Sequence, residues 1–469
     1  MTTFPTPSQE KDVDASVRLP VMIFFGCAAS WLALGTFLGA LAAIKLVWPG
    51  FLDGFGFLTY GRIAPAAVNA LVYGWASSAG LGIALWLLAR LGRTPLRYAV
   101  LPVAAAICWN FGVFLGVCAI LAGYSRGIFL LEFPGFISAI LFGSYLFVAV
   151  WGIVLFRNRS PGPVFASSWY LLAALLWFPW MYFSANALLI WYPVSGSAQA
   201  PIAAWFAGGM MALWLTPIAL ASALYLIPQI LGRRLVSYNL SVLGFWSFAI
   251  FAGWSGTALL IGGPVPAWMA SAGIVASIFL CVPVLVTSIN LLGTMSGSFG
   301  ALQWSPSLRF TVTGAFAFLI AYVGGALLAL PSASANFFFS DVFIGQGLLL
   351  LIGFVSMCFF GAIYYIVPRL LGRPWCCDGL IALHFWLFLI GGSLAWLCLI
   401  FGGLLQGYAL NDPGVRFSSS VGYVAPFRLV TALSLIVLFV GSKCFSALLF
   451  LSIFRALEET KSPSQAVTV

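Results

Sequence analysis

Charge and histidine are what this chain has least of. Only 6% of its 469 residues are charged, 10 acidic against 20 basic, where a soluble domain carries about a quarter. That is too little polar surface to face water on all sides, which excludes a soluble globular protein. There is one histidine, His384, so hemes with two axial histidines and three-histidine copper sites find too few imidazoles here. No Cys-x-x-Cys-His stretch occurs, which excludes a covalently attached c-type heme. All ten carboxylates (Glu10, Asp12, Asp14, Asp53, Glu132, Asp341, Asp378, Asp412, Glu458, Glu459) lie in tails, in loops or at helix ends. This argues against a proton pathway built on intramembrane acids.

What fills the chain instead is apolar: 63% of residues are hydrophobic and the mean hydropathy is +1.10. An α-helix needs about 20 such residues to cross the hydrocarbon. The chain divides into about twelve runs of that kind, at roughly 20–48, 64–90, 98–123, 134–156, 166–191, 201–231, 237–262, 267–294, 310–331, 341–368, 379–407 and 426–452. The runs are continuous and too long for the alternating strands of a membrane β-barrel. The expected architecture is an all-α integral membrane bundle, a single domain over residues 18–455, with polar tails at 1–17 and 456–469.

Basic residues set the expected orientation, because Lys and Arg gather in cytoplasmic loops. Arg90, Arg93 and Arg97 follow the second run, Arg157 and Arg159 the fourth, Arg233 and Arg234 the sixth, Arg309 the eighth, Arg369 and Arg373 the tenth. Lys11 and Arg18 precede the first run, and Arg455 and Lys461 follow the last. Both termini are expected in the cytoplasm. This asymmetry, facing anionic lipid, accounts for the net charge of +10 without a nucleic-acid partner. The first 17 residues, with Glu10, Asp12 and Asp14, lack the basic start and short apolar core of a signal peptide.

Three polar features stand out. His384, in ALHFWLF, reads as a core or interfacial residue bonded to a neighbour. Lys443 lies in the last run: if that helix ends near Ser446 the lysine snorkels to the interface, and if it continues to Arg455 the lysine is about 18 Å deep. Seven cysteines are scattered in apolar helices as small hydrophobes, whereas Cys376 and Cys377 are adjacent in a loop, PWCCDG, either plain or lipid-modified.

Several stretches, in order, resemble subunit I of the cbb3-type cytochrome c oxidases, the C family of heme-copper oxidases. The second run opens TYGRIAPAAVNALVYGW (Thr59 to Trp75), with a Gly-Arg, a Pro and an Asn-Ala at the family's places. GYS at Gly123 and LEFP at Leu131 follow. The sixth run holds AAWFAGG and closes in LYLIPQ; the seventh opens LSVLGFW and continues GWSGTALLIGGPVPAW; the ninth opens SLRF. The tenth closes in GAIYYIVPRLLGR, and the eleventh carries GLIALHFWL. The resemblance covers about residues 18 to 450. It implies two b-type hemes, one copper, c-type cytochrome subunits as partners and a bacterial plasma membrane.

The departures fall on the redox centre. The resemblance places the two low-spin heme histidines at Ala67 and Leu348, and the high-spin heme histidine at Gln346. It places the copper histidines at Gly208, Ala258 and Leu259, the redox-active tyrosine at Ala252 and a buried glutamate at Gly324. Arg62, Asn69, Trp254, His384 and Arg428 are the retained positions expected to hold the frame or a subunit contact. Trp254, Ser255 and Gly256 would then frame a site whose ligands are gone.

On this reading no cofactor is expected, and the chain is a ligand-less pseudo-oxidase acting as a structural or assembly subunit of a respiratory membrane complex. Two alternatives stand beside it: an active oxygen-reducing subunit with unconventional ligands such as Gln346, Met or Cys, and a quinone- or lipid-binding or transport protein reusing the fold. Empty heme pockets on the order of 500 Å³ would cost ~10 kcal/mol each. Aromatic side chains swung inward are expected to fill them, with lipid tails, a quinone or a pigment held without axial ligands as the alternatives.

Overall fold

The computed structural model describes residues 7–461. Among them are twelve helices long and apolar enough to cross a membrane, and no β-strand. Span 1 begins at Pro7 and ends at Val47. Spans 2 to 11 are Tyr60–Gly92, Val100–Ala122, Gly135–Arg157, Ala166–Trp191, Gly196–Leu231, Tyr238–Leu260, Ala267–Met295, Pro306–Leu328, Val342–Leu371 and Asp378–Asn411. Span 12 is Phe417–Lys461. Helices are the expected solution, because lipid offers no partner for backbone polar groups and each helix satisfies its own.

The two expected tails behave differently from a loose chain. Residues 7–17 continue the first helix, and Val13 and Val17 are buried. The cause is electrostatic. Arg90, at the arginine-rich end of span 2, pairs with Glu10 at 2.6 Å and with Asp14 at 3.3 Å, and the Trp86 indole also donates to Asp14 at 3.0 Å. At the other end, residues 456–461 extend the last helix; residues 1–6 and 462–469 lie outside the described residues. Since that helix continues past Arg455, Lys443 takes the deeper of its two expected placements, about 18 Å inside at 1.5 Å per residue.

Helices in lipid hold together by close packing of small residues rather than by a hydrophobic drive. Span 11 shows this. A Cβ on Gly403 would sit 2.3 Å from the backbone nitrogen of Val342 in span 10, and one on Gly402 would sit 2.8 Å from the Cβ of Phe427 in span 12. At the same junction the Arg428 guanidinium grips both carboxylate oxygens of Asp341, at 2.9 and 3.1 Å, while Gln406 of span 11 accepts from the Asp341 backbone N–H at 3.0 Å. Three spans are thus tied at the end of the bundle opposite the arginine-rich loops.

Four spans change to π-helical winding partway: Ala70–Ala76 in span 2, Ala187–Trp191 in span 5, Met210–Leu215 in span 6 and Leu349–Ser356 in span 10. Such wide turns are rare and concentrate at functional sites. Span 7 leaves α-helical winding after Phe251 and ends in a tight 3₁₀ segment, Ser255–Leu260.

The Arg90 clamp yields a direct expectation. Arg90→Gln removes the charge partner of two carboxylates whose arginine side chain is only 13% exposed, and should lower stability by about 1–3 kcal/mol. Thermal unfolding in mild detergent reads the effect; an unchanged midpoint would show that the start of span 1 is held by packing alone.

Candidate functional site

The candidate centre lies between spans 2, 6, 7, 9 and 10. Spans 2 and 10 both run toward the arginine-rich end of the bundle. They are joined where the Trp75 indole donates to the Ser356 hydroxyl at 2.8 Å and stacks on Phe360 at 4.8 Å between centroids. Ala67 and Leu348 each lie eight residues upstream of that bridge, and each is followed within a turn by its π segment. Parallel direction and equal offset put the two positions at one level. Ala67 is buried and Leu348 is partly buried against the core.

Gln346, one half-turn before Leu348, turns toward span 9. Its side-chain amide donates to the Ala321 carbonyl. Gly324 and Gly325 leave the room: a Cβ on either would stand 3.4 or 3.2 Å from the Gln346 amide. The same region of span 9 carries Tyr322, whose hydroxyl meets that of Thr216 in span 6 at 2.8 Å.

Spans 6 and 7 meet backbone against backbone. A Cβ on Gly208 would lie 2.5 Å from the Cα of Gly256, and one on Gly256 would lie 2.4 Å from the Ala204 carbonyl oxygen. From the other side Gly273 of span 8 presses on the same segment, where its Cβ would fall 2.1 Å from the Ala258 nitrogen. The Ser255–Leu260 segment is thus clamped between two glycine surfaces, with Ala252 and Ala258 buried and Leu259 facing outward. Trp254 contributes through its carbonyl, which accepts from the backbone N–H of Thr257 at 3.0 Å and from its hydroxyl at 2.8 Å. Its ring is 52% exposed, so the frame here is a backbone turn rather than an indole wall.

The other expected frame residues are spread through the fold. Arg62 caps the end of span 3: it donates to the Leu121 carbonyl at 3.2 Å and lies against Gly123, whose φ of +98° suits a glycine ending a helix. Arg428 closes the Asp341 pair described above. His384, fully buried, shares a 2.8 Å hydrogen bond between its Nδ1 and the Tyr364 hydroxyl, while its Nε2 is buried without a partner. Phe310, Phe360, Phe388 and Phe445 surround it at 4.4–5.2 Å between centroids. His384 is therefore far in sequence and in role from the span 6 and 7 turn. A second aromatic cluster joins spans 2, 3, 4, 5 and 6: Phe178 and Trp214 lie 3.8 Å apart, with Tyr145, Tyr73 and Trp109 within 6.5 Å of Trp214.

The residue that reading the sequence overlooked is Glu132. It stands in the loop after span 3, only 6% exposed, and its carboxylate accepts from the Asn69 amide at 3.0 Å. The Asn69 amide also donates to the Pro65 carbonyl at 2.8 Å. Burial pushes the Glu132 carboxyl up to about 7, against the pull of hydrogen bonds from Asn69 and from the backbone of Glu132 and Leu130. The LEFP motif was the available signal, but nothing in a sequence says that this loop folds inward.

Two outcomes follow. A carboxyl raised from 4.5 to about 7 on folding holds its proton more tightly in the folded state. Its contribution is full below the unfolded value and is lost as pH rises to about 7, on the order of 3 kcal/mol. Unfolding midpoints should therefore fall over that window, and Glu132→Gln should flatten the profile; a parallel profile in the variant would refute the assignment. Separately, Gly208→Ala should cost about 1–3 kcal/mol or more by overpacking. Gly143→Ala, with open space around it, should leave the midpoint in place.

Comparison with known proteins agrees with this architecture. The family model for cytochrome c and quinol oxidase polypeptide I matches residues 20–437. The cbb3-type cytochrome c oxidase subunit CcoN1 of Stutzerimonas stutzeri is 26% identical over 403 residues, 83% of this chain and 85% of that protein. A cytochrome c oxidase subunit 1 homolog of Azorhizobium caulinodans is 25% identical, covering 95% and 84%. A heme-copper terminal oxidase dimer solved by cryo-electron microscopy shares the fold, with a TM-score of 0.76 at 14% identity over 93% of this chain and 84% of that one. Twelve apolar helices and bacterial relatives make this a multi-pass protein of the bacterial inner membrane. The chain belongs to the cytochrome c and quinol oxidase polypeptide I family.

Proposed function

We propose that this member of the family is catalytically silent, a pseudo-oxidase that serves as a structural or assembly subunit of a respiratory membrane complex, with both termini in the cytoplasm. The observation that carries the reading is the contact of Gly208 with Gly256. At the position where the resemblance sets a copper histidine, even one carbon would strike the backbone of the neighbouring span.

The donor set supports the same conclusion. The family's two hemes and copper call for several imidazoles, and the sequence has one. That one is held by Tyr364 inside a box of phenylalanines. No group of three or more His, Cys, Asp or Glu able to hold a metal exists among the described residues. Gln346, a poor iron ligand, spends its amide on the Ala321 carbonyl. The residues present do not fit the family's cofactors, so no step of oxygen reduction is derived through them.

Aromatic side chains pack the interior beside these positions. Trp75 bridges spans 2 and 10 directly, and the Phe178–Trp214 cluster packs the adjoining interior. Offset and edge-on ring pairs of this kind add about 0.5–1.5 kcal/mol each beyond burial, which favours a filled core over a vacant one. Partner subunits, c-type cytochromes among those the resemblance implies, would then dock on a rigid twelve-helix platform.

The decisive experiment is a reduced-minus-oxidised spectrum of the purified chain with heme, iron and copper quantified per polypeptide. The expected outcome is far less than one heme and one copper per chain. Stoichiometric b-type heme would overturn the reading in favour of an active oxidase subunit with unconventional ligands, beginning with Gln346 and His384. Retention of quinone or lipid in place of heme would favour a binding protein on the same fold.

A further inference from the structure

Lys443 is a charged residue within the last membrane span. It stands on span 12 between Arg428 and Arg455, about 22 Å from the first and 18 Å from the second at 1.5 Å per residue. The neighbouring faces of the helix are buried in the bundle. There the Ser442 hydroxyl meets that of Thr36 at 2.9 Å, and the Ser446 hydroxyl donates to the Ala29 carbonyl at 2.9 Å. Thr36 and Ala29 belong to the middle of span 1, which sets this level well inside the hydrocarbon. Lys443 itself points outward, exposed together with Leu433, Val440 and Ala447 along one stripe.

The Lys443 ammonium has no ion pair or hydrogen bond among the described residues; the Phe439 ring lies 5.5 Å from it. A lysine stem reaches roughly 6 Å, so snorkelling leaves it short of either interface. A lone charge at this depth is costly and is normally paired with an opposite charge.

We propose that the outward face of span 12 around Lys443 is a docking surface for a transmembrane helix of a different chain, one that carries an Asp or Glu at mid-membrane depth. Lipid headgroups are excluded by depth. A second copy of this chain is excluded by charge. None of the ten carboxylates of the sequence lies at this level, and two copies meeting on this face would oppose lysine to lysine. Leu433, Val440 and Ala447 supply the apolar stripe on which the partner helix would lie, with small Ala447 allowing close approach. The inference deepens the subunit reading above, yet it holds whether or not the chain binds heme.

The test uses the full chain in lipid vesicles with synthetic leucine-rich transmembrane peptides as probes, identical except for Asp, Asn or Lys at the central position, and energy transfer as the readout. The wild type should associate with the Asp peptide roughly tenfold more than with the Asn peptide. Lys443→Leu should abolish that preference, and Lys443→Glu should transfer it to the Lys peptide. Equal binding of Asp and Asn peptides to the wild type, or an undiminished preference in Lys443→Leu, overturns the proposal. Lys443→Leu removes a charge from an outward face, so unfolding midpoints check that the variant is intact. In native membranes, a photo-crosslinking residue at Val440 should capture a chain with an intramembrane carboxylate. Capture of a second copy of this protein, or of lipid alone, overturns the proposal. A heme found in the chain would refute the silent-subunit reading and leave this result unaffected.

Discussion

The structure depends on how closely two backbones can approach in a solvent that gives helices no reason to associate. Lipid tails are as apolar as leucine, so spans adhere through dispersion at short range and a few satisfied polar contacts. Glycine permits that range at the places that define this bundle. Gly208 against Gly256, Gly273 against Ala258 and Gly403 against Val342 each bring one span within a carbon's width of another. These contacts hold spans 6, 7 and 8 together at one level of the bundle.

Around that joint the polar groups act as fasteners. The Asp341–Arg428 pair with Gln406 ties spans 10, 11 and 12 at one end, and Arg90 with Glu10 and Asp14 ties spans 1 and 2 at the other. Between them Trp75 and Ser356 fix the register of two parallel helices, each widened by a π segment. Ala67 and Leu348 stand just before these two wide turns.

His384 and Lys443 show two ways in which a membrane protein tolerates a polar group. The imidazole is accommodated internally, with one nitrogen bonded to Tyr364 and its ring packed among phenylalanines. The ammonium is displayed outward at depth and requires a partner from elsewhere. Glu132 is a third case, a loop carboxyl drawn inward by Asn69 and held near neutrality by burial.

The amino-acid sequence by itself determined the class, the number of spans, their approximate limits and the presence of a single histidine, because hydrophobic length and residue identity are local properties. It also indicated the family through the order of its motifs. The inward fold of the Glu132 loop, the helical continuation through residues 7–17 and the exposed ring of Trp254 were decided only by tertiary structure. Each depends on which distant residue lies opposite: Asn69 for Glu132, Arg90 for Glu10 and Asp14, and the glycines of spans 6 and 8 for the turn that Trp254 begins. Such pairings arise from packing helices far apart in the chain, and no local pattern encodes them.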